Sequence, residues 1–223
     1  MCGRFTLTAT PEQLQQAIPG LNLPTAGMSP RYNIAPSQPV AIVPNDGQMR
    51  LDYYVWGLIP SWAKDPAIGN RMINARGETL VEKPSYRTAF RRRRCLILAD
   101  GFFEWKQVPG SKNKIPMYIR LKSGEPFAFA GLWDNWNSPD GSRILSCSII
   151  TTNPNKLLES IHNRMPVILP VATYARWLEP GEQDPTSLQP LIQPYPADEM
   201  SAYPVSTLVN RPENDVAAVI QPA

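Results

Sequence analysis

Apolar and polar positions change rhythm near the middle of the chain. In the first half they alternate over short stretches broken by turn residues. Thr10-Pro11-Glu12 opens a helix, with Thr as N-cap, Pro at the first helical position and Leu14, Ala17 and Ile18 on one face. That helix ends near Pro19-Gly20. Residues 40–44 and 49–58 flank Asn45-Asp46-Gly47, whose turn chemistry predicts a hairpin. Pro60-Ser61-Trp62 starts an exposed loop. Residues 78–93 read as a helix bent around Pro84, with an arginine run at its C-terminal end, where cations suit the dipole.

From Cys95 onward the pattern is that of strands, at 95–106, 115–121, 126–136 and 144–152, separated by Gly-, Lys- and Asp-rich turns. The simplest arrangement is an antiparallel meander. A short helix at 155–161, a strand at 166–169, a helix at 171–178 and a Pro-rich loop at 180–196 complete the chain. No internal repeat and no domain-separating linker interrupts it. The expected fold is α+β, a curved, mainly antiparallel, barrel-like sheet flanked by short helices, in one domain over residues 1–223.

Composition sharpens this in three ways. Proline, 25 of 223 residues, excludes a coiled coil or a long-helix bundle. No apolar run reaches the ~20 residues of a membrane span, and Met-Cys-Gly-Arg-Phe lacks a signal region, so a cytoplasmic protein without a membrane partner is expected. Three widely spaced cysteines, Cys2, Cys95 and Cys147, argue for reduced thiols rather than a disulfide framework. The net charge of +3 is unevenly placed: between Arg71 and Arg94 eight basic residues face only Glu78 and Glu82. A positive face for a phosphate backbone and a solvated helix end are both open readings of that run.

Cys2 is the sharpest chemical feature. Its small size lets an aminopeptidase remove Met1, leaving one residue with a free α-amine and a thiol on adjacent carbons. Such a 1,2-aminothiol condenses with an aldehyde to an imine, which the thiol closes to a five-membered thiazolidine. A small residue that merely follows the start codon is the plainer alternative. Glu104 lies in the aromatic strand Ala99-Asp100-Gly101-Phe102-Phe103-Glu104-Trp105. Apolar surroundings would suit it to proton transfer, whereas simple alternation would point it to solvent. His162, the single histidine, follows a short helix with Arg164 two positions on; it is either structural or a site residue. Asn74 and Arg76 share a side of an extended segment, fit for one polar ligand, and Arg4 should face the side of Cys2. Trp62 and Trp105 are suited either to stacking on unpaired bases or to the core. A zinc site from the three cysteines and His162 has no short-spacing motif behind it, so no metal and no cofactor is expected.

Taken together, Met1-Cys2-Gly3-Arg4-Phe5, Arg31-Tyr32-Asn33-Ile34-Ala35-Pro36-Ser37, Trp56-Gly57-Leu58-Ile59-Pro60-Ser61-Trp62-Ala63, Ile73-Asn74-Ala75-Arg76-Gly77-Glu78-Thr79, the Glu104 strand and Ile161-His162-Asn163-Arg164-Met165-Pro166 closely resemble the SRAP (SOS response-associated peptidase) family of abasic-site processing proteins. The resemblance implies a protein that binds single-stranded DNA at an abasic site and joins Cys2 to the ring-opened sugar as a thiazolidine; a monomer is expected. It also implies roles: Cys2 as nucleophile, Asn74 orienting the N-terminal residue, Glu104 shuttling protons and His162 opening the sugar or reversing the bond. Arg4, Arg76 and Arg164 match phosphate-contacting positions, and Thr151 and Trp105 are weaker matches. The family name adds a peptidase acting on Met1 itself. Two rivals remain on sequence grounds. An N-terminal Cys glutamine amidohydrolase would hydrolyse glutamine, and a non-catalytic single-strand-binding module would tolerate loss of Cys2.

Overall fold

The structure, a computed structural model, describes residues 2–23 and 27–223; Met1, whose removal the sequence leads one to expect, lies outside them. The first half carries β1 (Phe5–Leu7), helix α1 (Pro11–Ala17), β2 (Arg31–Ile34), β3 (Pro39–Pro44), β4 (Asp52–Trp56), β5 (Asn74–Arg76) and helix α2 (Arg87–Arg92). Then come the longer strands β6 (Arg94–Ala99), β7 (Gly101–Gln107), β8 (Lys114–Leu121), β9 (Phe127–Asn137) and β10 (Arg143–Thr152). The last part holds β11 (Met165–Pro166), β12 (Ile168–Leu169), short helices α3 (Tyr174–Trp177) and α4 (Pro185–Leu188), and β13 (Met200–Pro204), joined by 3-10 turns. Among the described residues no helix is long and apolar enough to cross a membrane.

Five strands close on themselves: β10 pairs with β4, β4 with β3, β3 with β6, β6 with β9, and β9 returns to β10. This barrel takes β5 and β11 onto β10 and β12 onto β9. A second sheet runs β13-β8-β7-β1-β2. Most pairings are antiparallel, and β10 is parallel to both β4 and β5. An α+β fold on a curved, mainly antiparallel sheet is therefore what the chain adopts.

Three local expectations need correction. The stretch 95–106 is not one strand of a meander: it breaks at Asp100 into β6 in the barrel and β7 in the second sheet, and β8 pairs with β7 and β13 rather than with β9. The cause is the Asp100 carboxylate, which accepts hydrogen bonds from the Thr6 and Thr8 hydroxyls and from the Thr8 and Ala9 backbone N–H groups. A buried carboxylate satisfied in this way ties the chain to β1 at that point. Gly101 follows because a Cβ there would stand 2.1 Å from the Tyr118 hydroxyl. The helix expected over 78–93 shrinks to α2, since Pro84 has no N–H to donate and disfavours helical backbone before it. The Pro-rich segment 180–196, expected as a loop, contains α4, started by the Asp184 side chain accepting from Thr186 N–H.

The arginine run is split by the fold: Arg91 and Arg92 are exposed, Arg93 is half-buried and Arg94 is buried. Arg94 is fully buried in β6, and its guanidinium donates to the carbonyls of Trp177, Phe90, Arg91 and Glu179. Burial pushes it down to about 10. Arg93 pairs with Asp134 at 3.2 Å, and Arg91 and Arg92 both reach Glu182. Of the four, only Arg91 and Arg92 remain at the surface at the end of α2, and they share one carboxylate.

One hydrophobic cluster fills the barrel, and a smaller one, Phe103, Tyr118, Val205, Val209 and Val219, lies on the second sheet. Phe5 of β1 enters the main core, meeting Trp56 edge-on at 5.1 Å and Phe129 at 5.7 Å. Burying such a ring contributes roughly 1.5–3 kcal/mol. Because Phe5 is anchored there, Cys2, three residues earlier, is held where the two sheets meet.

Candidate active site

Cys2 is wholly buried just ahead of β1, its thiol 3.9 Å from the Arg4 carbonyl oxygen. Burial, reinforced by the negative charge of nearby Glu104, pushes the thiol well above its ordinary value. Free cysteines are also found at Cys95 and Cys147, both buried in the barrel. Among the described residues no group of His, Cys, Asp and Glu side chains is placed to hold a metal ion.

Asn74 reaches Cys2 from the other sheet. Strand β5 lies parallel to β10, with Asn74 opposite Ile149, Ala75 opposite Ile150 and Arg76 opposite Thr151. Alternation then buries Ala75 and turns Asn74 and Arg76 to the other side. Asn74 Nδ2 donates to the Cys2 carbonyl at 2.8 Å. Its backbone carbonyl accepts from the Tyr86 hydroxyl at 3.2 Å, so Tyr86, which carried no signal in the sequence, steadies this strand from α2's approach.

Glu104 stands on β7, 2% exposed. Burial raises its carboxyl above the ordinary range, an effect that the charge of His162 partly offsets. Glu104 and His162 line the same cleft, and the Glu104 charge acts on the Cys2 thiol. His162 follows the 3-10 turn Leu158–Ser160, where its N–H donates to the Leu158 carbonyl. Its Nδ1 accepts from the Arg164 N–H at 3.1 Å, so the neutral ring carries its proton on Nε2. Glu104, Trp105, Lys114, His162 and Asn210 line an open cleft of about 460 Å³.

The remaining expected residues separate into engaged and open groups. Arg4 is half-buried: its NH1 donates to Asn33 Oδ1 at 2.8 Å and to the Val209 carbonyl at 2.7 Å, and its guanidinium lies 5.9 Å from the centre of the Trp105 ring. Arg164 forms a two-pronged ion pair with Glu78 and donates to the Thr151 carbonyl at 2.7 Å. Thr151 is buried and gives its hydroxyl to the Ala75 carbonyl. Trp105 donates its indole N–H to Asn210 Oδ1 at 2.8 Å. Arg76 is exposed. Trp62, 57% exposed, lines a different groove with Lys64, Ile68 and Arg71, away from the Glu104 cleft.

Sequence reasoning passed over Asn33 as a working residue although it sits in a quoted block. It is fully buried, and its Nδ2 reaches the carbonyls of Val209, Arg211 and Asn214. Lys114 and Asn210 were also missed, because only the pairing of β8 with β7 and the return of the C-terminal segment bring them to the cleft.

Comparison with known proteins puts this arrangement in context. A family model described as SOS response associated peptidase (SRAP) matches residues 1–212. The protein named abasic site processing protein YoqW of Bacillus subtilis (strain 168) is 52% identical over 226 residues, covering 99% of each chain. Abasic site processing protein HMCES of Rattus norvegicus is 34% identical over 197 residues, covering 75% of this chain and 55% of its own. A crystal structure of a protein from Bacteroides thetaiotaomicron superposes with a TM-score of 0.88 at 27% identity, covering both chains completely.

Proposed function

The chain belongs to the SOS response-associated peptidase family, and from that premise we propose that it processes abasic sites in single-stranded DNA through a covalent bond to Cys2. The relatives matched over nearly their whole length carry the name abasic site processing protein, which supports the reaction class. The observation that carries the chemistry is the junction itself: Cys2, held through its carbonyl by Asn74, beside the raised carboxyl of Glu104 and the imidazole of His162.

The reaction begins once hydrolysis of the Met1–Cys2 bond, which consumes one water, has freed the α-amine. The family's name includes the word peptidase, which is in keeping with such a step. The amine then adds to the aldehyde carbon of the ring-opened abasic sugar, and loss of one water gives the imine. The Cys2 sulfur attacks the same carbon, its proton passes to the nitrogen, and the thiazolidine ring closes. A thiol held in its neutral form by burial must give up that proton during closure. Glu104, whose carboxyl burial raises above the ordinary range, is the group that takes and returns it. His162, coupled to Glu104, serves the sugar oxygen, and Asn74 fixes the aminothiol. The lesion has to be unstacked for its aldehyde to reach a buried sulfur, which favours a single strand. A cytoplasmic monomer without a cofactor completes the reading.

The test is an oligonucleotide treated with uracil glycosylase, incubated with the protein and run on a denaturing gel without borohydride. The parent should give a stable complex with the mass of mature protein plus DNA less one water. Cys2→Ala should give none while still binding reversibly; persistence of the complex in that variant removes Cys2 as the nucleophile.

A further inference from the structure

Cations around the junction differ in whether their charge is already in use. Arg4 is tied to Asn33 and Val209, and Arg164 is paired with Glu78. Arg91, Arg92 and Arg93 are paired with Glu182 and Asp134, and Arg94 is spent on carbonyls inside the protein. Arg76 and Lys114, by contrast, are exposed and enter no ion pair among the described residues. Arg76 lies two residues after Asn74 on β5, which belongs to the barrel side. Lys114 opens β8 in the second sheet and lines the cleft that holds Glu104 and His162. These two unpaired cations therefore stand on the two sheets that meet at Cys2.

We propose that Lys114 is a DNA-binding residue, taking a backbone phosphate on the flank of the lesion opposite the one held by Arg76. Lys114 is the sole lysine or arginine lining that cleft. It shares the wall with Trp105, whose indole N–H donates to Asn210 Oδ1. A single strand crossing the junction from one sheet to the other then meets a cation on each side of the reactive carbon. An ammonium on a flexible stem suits a phosphate as a point charge and needs no fixed geometry. This rests on the single-strand reading above.

The experiment measures reversible binding of an abasic single strand as a function of salt, in a Cys2→Ala background so that the thiazolidine cannot close and any imine stays reversible. Lys114→Gln should weaken binding several-fold at low salt and lower the slope of log affinity against log salt by about 0.7, and Lys114→Arg should restore the slope. Oligonucleotides lacking one flank locate the contact. The Lys114 effect should vanish when one flank is removed and the Arg76→Gln effect when the other is. An unchanged slope in Lys114→Gln, or loss of both effects on the same truncation, overturns the proposal. If the Cys2 parent forms no denaturation-resistant complex while the Lys114 effect persists, the covalent reading falls and the phosphate contact stands.

Discussion

Burial is the dominant force on Glu104, and it makes the residue a pH-dependent cost to the fold. Its carboxyl is raised in the folded protein relative to the unfolded chain, so folding favours the protonated form. That contribution to stability is fully present below the ordinary carboxyl value and is lost as pH rises through the raised one. Glutamine keeps the shape and cannot ionise. The difference in Tm between Glu104→Gln and the parent should therefore grow in the variant's favour as pH is taken from about 4 toward neutrality; a difference independent of pH would show that the carboxyl does not titrate abnormally. The same scale explains why Arg94 misleads in the sequence. A fourth arginine in a row looks like surface charge, yet its four carbonyl partners make it a buried crosslink between β6, α2 and the segment after α3.

The segment between β4 and β5, which presents Trp62, depends on two glycines facing each other. Gly57 has φ +136, and a Cβ on it would stand 2.7 Å from the Gly69 carbonyl oxygen, while a Cβ on Gly69 would meet the Gly57 carbonyl at the same distance. Gly57 N–H also bonds the Cys147 carbonyl, which joins this turn to β10. Alanine at Gly57 has to carry a backbone conformation that costs roughly 1–3 kcal/mol and also push the opposing peptide away. Gly57→Ala should lower the urea midpoint by at least that equivalent with the m-value kept. An unaltered midpoint would mean that the two peptides part without penalty. At this scale most elements were legible, because α1 with its Thr10 cap, the β3–β4 hairpin and the long strands obey local rules of capping, turn chemistry and alternation. The break at Asp100 was not, since the groups that satisfy its carboxylate come from residues 6–9 and no local pattern announces them.

Across the molecule, the two ends of the chain are clamped together. Asp215 accepts from the Tyr32 and Asn33 N–H groups and pairs with Arg31, while Asn33 holds three carbonyls of the C-terminal segment and the Arg4 guanidinium. This brings Asn210 to Trp105 and closes one wall of the cleft. Asn33→Ala removes the donor to the Arg211 and Asn214 carbonyls and leaves Arg4 and Val209 only each other, at about 1–3 kcal/mol for each group that loses its partner and that water cannot reach. The variant should be destabilised by about 3 kcal/mol and expose residues 206–215 to limited proteolysis before the rest of the chain. Protection equal to the parent's would show that Asp215 alone secures the segment.

Read alone, the sequence determined the class of fold and supplied the candidate reactive residues, because both rest on local facts. Periodicity and turn residues report strands and helices, and a cysteine at position 2, a carboxylate among aromatics and one histidine carry their chemistry in their side chains. Tertiary structure decided which charges are open and which are consumed, and which walls the cleft has. Those properties belong to pairs distant along the chain: Asn74 with Cys2, Arg164 with Glu78, Arg4 with Val209 and Trp105 with Asn210. Burial and ion pairing act through space, so the electrostatics of the site came into being only when barrel and second sheet met at Cys2.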